Sequence, residues 1–293
     1  MPRKPKKPRG GVEADSALHF SENDLLGQLT GYEGSTLWLG TCTVAEISRA
    51  LEGAGVLADL RATGFDSIIL KIEPFEEFDQ RLRVYDKAEN ADNLIAEARF
   101  NVKKFAPQRR MPETFSTVAP SMLLIEWLLM QNPRASFSPQ RPRLPGQTHP
   151  GLGQAQRVTT LLIELCEKRR LAGVLNFPQY YHNAFLYRKH FHFYDPAQEG
   201  VLQALHRDCA ARPLAELSWA IEGGCVRNSG SVDRFEWVAD AQILPVHAAV
   251  QEYFASSWYR RRVEEEAERN KFALDEEELR ERVLRNEFVR DGF

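Results

Sequence analysis

The chain has 293 residues, of which 43% are hydrophobic and 27% are charged, and its formal net charge is −3 at pH 7. That hydrophobic fraction is enough for a buried core, so the composition excludes an intrinsically disordered protein. No apolar run reaches the roughly 20 residues that a transmembrane helix needs, and the first residues lack the apolar stretch of a secretory signal. We therefore expect a soluble, cytoplasmic protein without a membrane span.

The first ten residues carry five Lys or Arg side chains and no acidic one. A short run of one charge is typical of a solvated terminus, and we predict that residues 1–20 form a disordered basic tail. Contact with nucleic acid or anionic lipid is the alternative, and so short a run favours it less.

The next part of the chain predicts a strand, two helices and three further strands. Residues 36–42 have the pattern of a strand, and Thr43 with Glu46 forms a capping box that predicts the start of a helix. The helical spacing of apolar residues is interrupted by Gly53 and Gly55, which favours two short helices over one. Three strands follow, at residues 67–73, 80–86 and 93–102.

The segment of residues 122–133 begins with an apolar run that only Glu126 interrupts before Gln131, and this run predicts a buried strand. A proline-rich loop with three arginines follows and ends in two glycines, Gly151 and Gly153. Apolar residues then recur with the period of a helix that buries one face. They are Val158, Leu161, Leu162, Leu165 and Cys166.

Glycines at the start of a helix favour an anion, because the first amides have no partner within the helix and glycine lets a phosphate approach them. The nearby arginines add positive charge. A tight turn into the helix is the alternative explanation. The expected donors are the main-chain amides of Gly151, Leu152, Gly153, Gln154 and Ala155.

A short apolar strand at residues 171–177 and an aromatic helix at residues 180–194 complete this region. Within residues 123–195, four segments resemble the core of the GCN5-related N-acetyltransferase (GNAT) superfamily, namely 124–129, 151–154, 173–176 and 183–187. The resemblance implies an α+β fold in which helices flank a mixed, mostly antiparallel sheet. That sheet would be open between its fourth and fifth strands.

The resemblance also implies a cofactor, acetyl-CoA or another acyl-CoA, with its pyrophosphate on the amides of residues 151–155. The main chain at Leu129 and Met130 would hold the thioester carbonyl, and Asn183 would contribute to the same cofactor site. Two positions depart from the family pattern. Thr148 stands where the family has Arg or Gln, and no glycine follows Tyr187.

Acyl transfer to an amine needs a base for the ammonium group and an acid for the departing thiolate. Glu126 is the expected base, because burial raises the pKa of a carboxyl group towards neutrality. The alternative is that Glu126 faces outwards and is solvated or paired with an arginine. Tyr187 is the expected acid, since the family often has a tyrosine at this point; the alternative is an ordinary core aromatic residue.

The function that these residues favour is that of an acyl-CoA-dependent N-acyltransferase, which transfers an acetyl or other acyl group to an amine on a small molecule or a protein. The alternative is a non-catalytic acetyltransferase-like module that binds acyl-CoA or a protein partner. The two departures from the family pattern favour this alternative, and the fold alone does not decide between the two.

The remaining chain predicts a helix at residues 199–210, an ambiguous segment at 212–222 and a last strand at 235–238. We assign residues 21–244 to the acetyltransferase-like domain and 245–293 to a helical extension. That extension either packs on the sheet or cleft, or forms a homodimer. The dimer would use Phe254, Trp258 and Phe288.

Metal-ligating residue types occur without a convincing spacing. The four cysteines form no Cys-x-x-Cys pair, so we expect neither disulfides nor a zinc site. His182, His190 and His192 alternate as ligands on an extended segment would, yet no carboxylate or cysteine completes the set. We therefore expect no metal.

Overall fold

The structure, a computed structural model, describes residues 37–74, 80–106, 119–229 and 234–284. All of them belong to one compact unit, Leu37–Phe293. The predicted basic tail and Phe288 lie outside the described residues. None of the helices in the described part of the chain has both the length and the apolarity to cross a membrane.

The strands of the main sheet occur in the order β1–β2–β3–β4–β5–β8–β6. Every neighbouring pair is antiparallel except β4 and β5, which are parallel. A separate antiparallel pair is formed by β7 and β9. The strands are β1 (Ile68–Pro74), β2 (Gln80–Asp86), β3 (Leu94–Lys104), β4 (Ser121–Met130), β5 (Gly173–Asn176), β6 (His192–Phe193), β7 (Val226–Asn228), β8 (Gln242–Pro245) and β9 (Phe272–Leu274).

Helices flank this sheet, so the predicted α+β class with a mixed sheet is confirmed. The helices of the described ranges are α1 (Val44–Gly53), α2 (Val56–Ala62), α3 (Ala155–Arg169), α4 (Tyr181–Tyr187), α5 (Pro196–Asp208), α6 (Leu214–Glu222), α7 (Ala248–Ala255), α8 (Ser257–Arg269) and α9 (Glu276–Leu284). The capping box at Thr43 and Glu46 is present at the start of α1, as predicted.

The two faces of the sheet carry different helices, because successive residues of a strand point to opposite faces. On β4, Leu123 packs with residues of α3, whereas its neighbour Met122 packs with residues of α7 and α8. Helices α1 and α2 cover β2 and β3 through two clusters, one of which also includes Leu161 of α3. We call the side that carries α1, α2 and α3 the α3 face of the sheet.

The aromatic helix is shorter than predicted: α4 ends at Tyr187, and β6 follows as an edge strand beside β8. The reason is the burial of Phe191 and Phe193, which are 2% and 0% exposed. Residues two apart share a side of a strand but not of a helix, so burying both favours extended backbone.

Two predicted strands are absent. Within 36–42, the described residues form a tight turn in which Trp38 pairs with Cys42 across Leu39 and Gly40, both at positive φ. Residues 235–238 do pack alternate aromatic side chains on the core, but the last strand of the sheet is β8, four residues further along the chain.

Candidate functional site

The sheet opens between β4 and β5. These strands pair only at Leu123 with Val174 and at Leu124 with Leu175. From Ile125 to Met130, β4 continues beside β3 with no partner strand on its other edge in the described chain. The glycine turn closes the wide end of this gap, where the Asn132 N–H donates to the carbonyl oxygen of Pro150 over 2.7 Å.

Helix α3 starts at this turn without a capping side chain. Its N-cap is Gln154, whose side chain accepts no hydrogen bond from the first turn. Among the described residues, no hydrogen bond uses the main-chain N–H of Gly153, Gln154 or Ala155. Gly153 is exposed at φ +74°, and no atom lies within 4 Å of the position that a Cβ would occupy there. The start of α3 therefore presents unpaired donors at an accessible turn.

Charged and polar side chains form hydrogen bonds around this turn. Arg157, in the first turn of α3, donates from Nε to Asp59 of α2 over 2.9 Å, and Gln154 Nε2 donates to the same carboxylate. Arg141 donates to the carbonyl oxygen of Gly151. The Asp59 carboxylate is thus matched by Arg157, while the Arg141 guanidinium contacts a neutral acceptor and adds positive charge beside the glycines.

The main-chain groups of Leu129 and Met130 point in opposite directions. Gln131 donates its N–H to Ile95 at the end of β3 over 2.8 Å. Because consecutive residues of a strand direct their N–H groups to opposite edges, the Met130 N–H points towards the gap and the Leu129 N–H towards β3. Of the two predicted carbonyl-binding positions, only Met130 directs its main-chain donor to the opening.

Glu126 lies in a β-bulge, the extra residue of β4 between the pairs Ile125–Phe100 and Trp127–Arg99. Its Oε1 accepts a hydrogen bond from Lys103 Nζ over 2.8 Å, and its side chain is 21% exposed. Lys103 pairs in register with Met122, which packs beneath α7 and α8, so Glu126 and Lys103 lie on the side opposite to the α3 face. Glu126 is therefore ion-paired, with a lysine rather than an arginine.

Tyr187 is the last residue of α4 and packs against the cluster of Leu123, Val174 and Leu162 on the α3 face. Burial raises the pKa of its hydroxyl, so the phenol stays protonated at neutral pH. Within the described chain that hydroxyl has no hydrogen-bond partner. Asn183 lies one turn earlier in the same helix, and its amide side chain likewise has no partner among the described residues.

The polar residues of the loop before the glycine turn have structural partners. Thr148 donates from Oγ1 to Oε1 of Gln131, over 3.2 Å. Among the loop arginines, Arg134 pairs with Asp86, and Arg143 donates to the carbonyl oxygen of Gln147. The expected contribution of these two arginines to an anion site is therefore taken up by contacts within the loop and with β2.

Three polar residues near the end of β5 were missed by the sequence interpretation. Asn176 Oδ1, Gln242 Oε1 and His182 Nδ1 are buried without a hydrogen-bond partner in the part of the chain that the structure describes. Asn176 and Gln242 are register partners on β5 and β8, and Gln242 Nε2 donates to Ala184 of α4. The local signal for Gln242 was a polar residue inside the apolar segment of residues 241–245.

The structure does not place the predicted histidines on one segment, and it buries the C-terminal aromatic residues against the sheet. His182 is in α4 and His192 is in β6, so they do not share one extended segment. Phe254 and Trp258 pack against the sheet face that carries α7 and α8. Dimerisation through these residues stays a prediction.

Comparison with known proteins gives no relative: no protein-family model matches the chain, and no curated protein matches it. The functional conclusion therefore rests on the geometry of the opening, the glycine turn and the residues around them.

Proposed function

We propose that this protein is an acyl-CoA-dependent N-acyltransferase with an acetyltransferase-like fold, which transfers an acetyl or other acyl group to an amine on a small molecule or a protein. One observation carries the proposal: parallel strands β4 and β5 separate after two residue pairs, and a glycine turn at the wide end starts an uncapped 15-residue helix. That arrangement offers an extended ligand a slot beside a strand edge and an anion site at its end.

The residues at the turn fit a pyrophosphate. The unpaired amides of Gly153, Gln154 and Ala155 lie at the positive end of the α3 dipole, with Arg141 beside them. Gly151 forms an antiparallel bridge with Gln131, so the main chain at Gly151 and Leu152 holds the turn against the end of β4. Asn183 supplies an amide without a partner in the described chain, which suits the polar pantetheine arm of a coenzyme.

Bound acyl-CoA supplies an activated thioester carbonyl and a thiol leaving group. In the proposal the Met130 N–H orients and polarises that carbonyl, while the pairing of Leu129 with β3 holds Met130 at the edge of the gap. Tyr187, protonated at neutral pH, donates its proton to the departing sulfur. Glu126 accepts a proton from the amine, directly or through water, and Lys103 holds its carboxylate in position. A bulge beside a cleft is a common place for such a residue.

A non-catalytic acetyltransferase-like module that binds acyl-CoA or a protein partner is the second candidate. The Glu126–Lys103 ion pair favours it, because a carboxylate oxygen of Glu126 is already engaged by the lysine. Both candidates need the cofactor site, so cofactor binding is the first experiment.

Calorimetry and thermal unfolding with CoA and acetyl-CoA test that site. We expect wild type to gain about 2.7 kcal/mol of stability at a ligand concentration of about 100 times Kd. Gly153→Glu should abolish binding, because the carboxylate fills and repels the phosphate site. The matched control is Gly40→Glu, which also adds a carboxylate at a positive-φ glycine with open space, near the other end of α3. No stabilisation of wild type at millimolar ligand would overturn the proposal.

Catalysis is tested by Tyr187→Phe, with Tyr181→Phe on the same helix as the control. Tyr187→Phe should lower turnover by roughly 10² to 10⁴-fold with little change in affinity for the coenzyme, whereas Tyr181→Phe should keep wild-type turnover. Glu126→Gln should show a defect that shrinks as pH rises, because more of the amine then arrives neutral. Wild-type turnover in both Tyr187→Phe and Glu126→Gln would favour the binding module.

A further inference from the structure

A cavity of about 470 Å³ lies between helices α1, α2 and α3 and the strands β2, β3 and β4. Its size is in the range of small-molecule sites, which is roughly 300 to 1,000 Å³. Aliphatic side chains form most of its wall. They include Leu51, Leu57, Leu60, Val84, Leu128 and Leu161.

One end of this cavity carries buried hydrogen-bond donors without partners. Among the described residues, Trp38, which is 7% exposed, has no acceptor for its indole Nε1–H, and Arg169 has none for Nη1. Both residues line the cavity, and Arg169 Nη2 donates to the carbonyl oxygen of Leu39, next to Trp38, over 3.2 Å. Buried polar groups are normally hydrogen-bonded, so two orphan donors on one cavity wall indicate an acceptor from a ligand.

Two acidic and two basic residues line the cavity, namely Glu46, Glu164, Lys168 and Arg169, so their formal charges balance. Glu46 is engaged, because its Oε2 accepts hydrogen bonds from the N–H and the hydroxyl of Thr43, each over 2.9 Å. Glu164 and Lys168 both line the cavity and are both exposed, whereas Arg169 is half-buried and forms no ion pair with a carboxylate of the described residues. A guanidinium group binds a carboxylate more strongly than a neutral acceptor, which selects an anionic head group.

We propose that this cavity binds a fatty acid: a single carboxylate held by Trp38 and Arg169 at the C-terminal end of α3, with an unbranched aliphatic tail along the wall formed by α2 and β2 to β4. The head-group end of the cavity lies at the last residues of α3, whereas the proposed coenzyme turn lies at its first residues. The far end of the cavity is lined by Met130, Leu152 and Gln154, so the tail extends towards that turn. The carboxylate is held by Trp38 and Arg169, which the acyltransferase proposal does not use.

Calorimetry of the full chain with hexanoate, octanoate, decanoate and dodecanoate tests the tail. Each added methylene group should lower Kd about fourfold until the cavity is filled, since burying a methylene contributes a nearly constant free energy. The stoichiometry should be one. Ala98→Leu, which places a larger side chain in the wall, should weaken the longest acids most.

Two further variants test the head group, with dodecanol as the neutral probe. Arg169→Met should raise Kd for dodecanoate by about 10- to 100-fold and Trp38→Phe by about 2- to 10-fold, as expected for losing a charged and a neutral hydrogen bond. Both should leave dodecanol within about threefold. Arg170→Met, at the adjacent exposed arginine, is the control and should change neither probe.

Three results would overturn the proposal. The first is no binding of dodecanoate at 1 mM by wild-type protein, as expected if another part of this chain fills the cavity. The second is equal binding of dodecanol and dodecanoate. The third is a loss of dodecanoate affinity with Arg170→Met as large as with Arg169→Met.

Discussion

The two halves of the sheet are packed in different ways. Under α7 and α8 the space is filled by aromatic rings whose hydroxyls are satisfied: Tyr253 donates to the Tyr194 carbonyl oxygen over 2.7 Å, and Tyr259 to that of Phe193 over 2.6 Å. Under α1 and α2, the strands β2 to β4 border a cavity, and Trp38 keeps a buried donor without a partner. One half of the sheet is a closed core, and the other has room for a ligand.

Side-chain size explains the contrast. The strand residues that face the cavity include two alanines of β3, Ala96 and Ala98, where a core of ordinary density would carry larger residues. The opposite half is built from tyrosine and phenylalanine, which bury the most area per residue. A closed core resists added side-chain volume, whereas a cavity accepts it. Substitutions that add volume should therefore change stability differently in the two regions.

The largest expected effect is from Gly173→Ala in β5. A Cβ there would lie 2.3 Å from the carbonyl oxygen of Leu244, which belongs to the backbone of β8 and cannot move aside cheaply. We expect a loss of about 3 kcal/mol in the free energy of unfolding, measured by urea denaturation. The control is Gly53→Ala in α1, with open space around its Cβ, which should add up to about 1 kcal/mol. Equal effects at both positions would contradict the contrast.

A pH titration of stability tests how well the packing around α4 excludes water. Burial lowers the pKa of His182 from 6.5 to about 4. Between these two pH values, the imidazole therefore binds a proton more readily in the unfolded chain than in the folded one. Stability should therefore fall as pH drops from 6.5 to 4, by up to about 3 kcal/mol, with no further loss from this group below pH 4. His182→Gln should remove that part of the slope, and His190→Gln should retain it. An unchanged slope in His182→Gln would show that His182 is hydrated.

The smallest expected effect compares an enlargement at the cavity with one in the closed cluster around α5 and α6. Ala96→Leu places volume in the cavity and should change stability by between zero and about +1 kcal/mol. Ala204→Leu, at a residue that is 0% exposed in α5, should cost about 1 to 3 kcal/mol. Thermal unfolding of both variants gives the sign directly, and a loss of similar size in Ala96→Leu would mean that the cavity wall cannot accept a side chain.

Local patterns predicted the elements that depend on local interactions. The capping box placed the start of α1, and alternation placed β2 at Gln80–Asp86, the bounds that the structure has. The same reasoning missed β8, whose position depends on β5 and β6 rather than on its own residues. It extended α4 too far, because the burial of Phe191 and Phe193 is set by distant partners.

The candidate site also combines features that local sequence determines with features that depend on distant partners. The glycine turn and the start of α3 could be read from the chain, because a turn and a helix start are local. Separation of β4 from β5, the direction of the Met130 N–H and the pairing of Glu126 with Lys103 are set by strand register, which the sequence does not display. Orphan donors such as Trp38 Nε1 emerge only from three-dimensional packing.

The bulge at Glu126 has a consequence for how the chain tolerates change. Removing one residue from a regular strand exchanges every later side chain between the two faces. In β4 the extra residue shifts the alternation of side chains by one position. Leu128 and Met130 therefore line the cavity on the same face of the sheet on which Ile125 packs with α3. Residue 126 is therefore the position at which β4 accommodates an extra residue. Its side chain can change while the other residues of β4 stay on the faces where they pack.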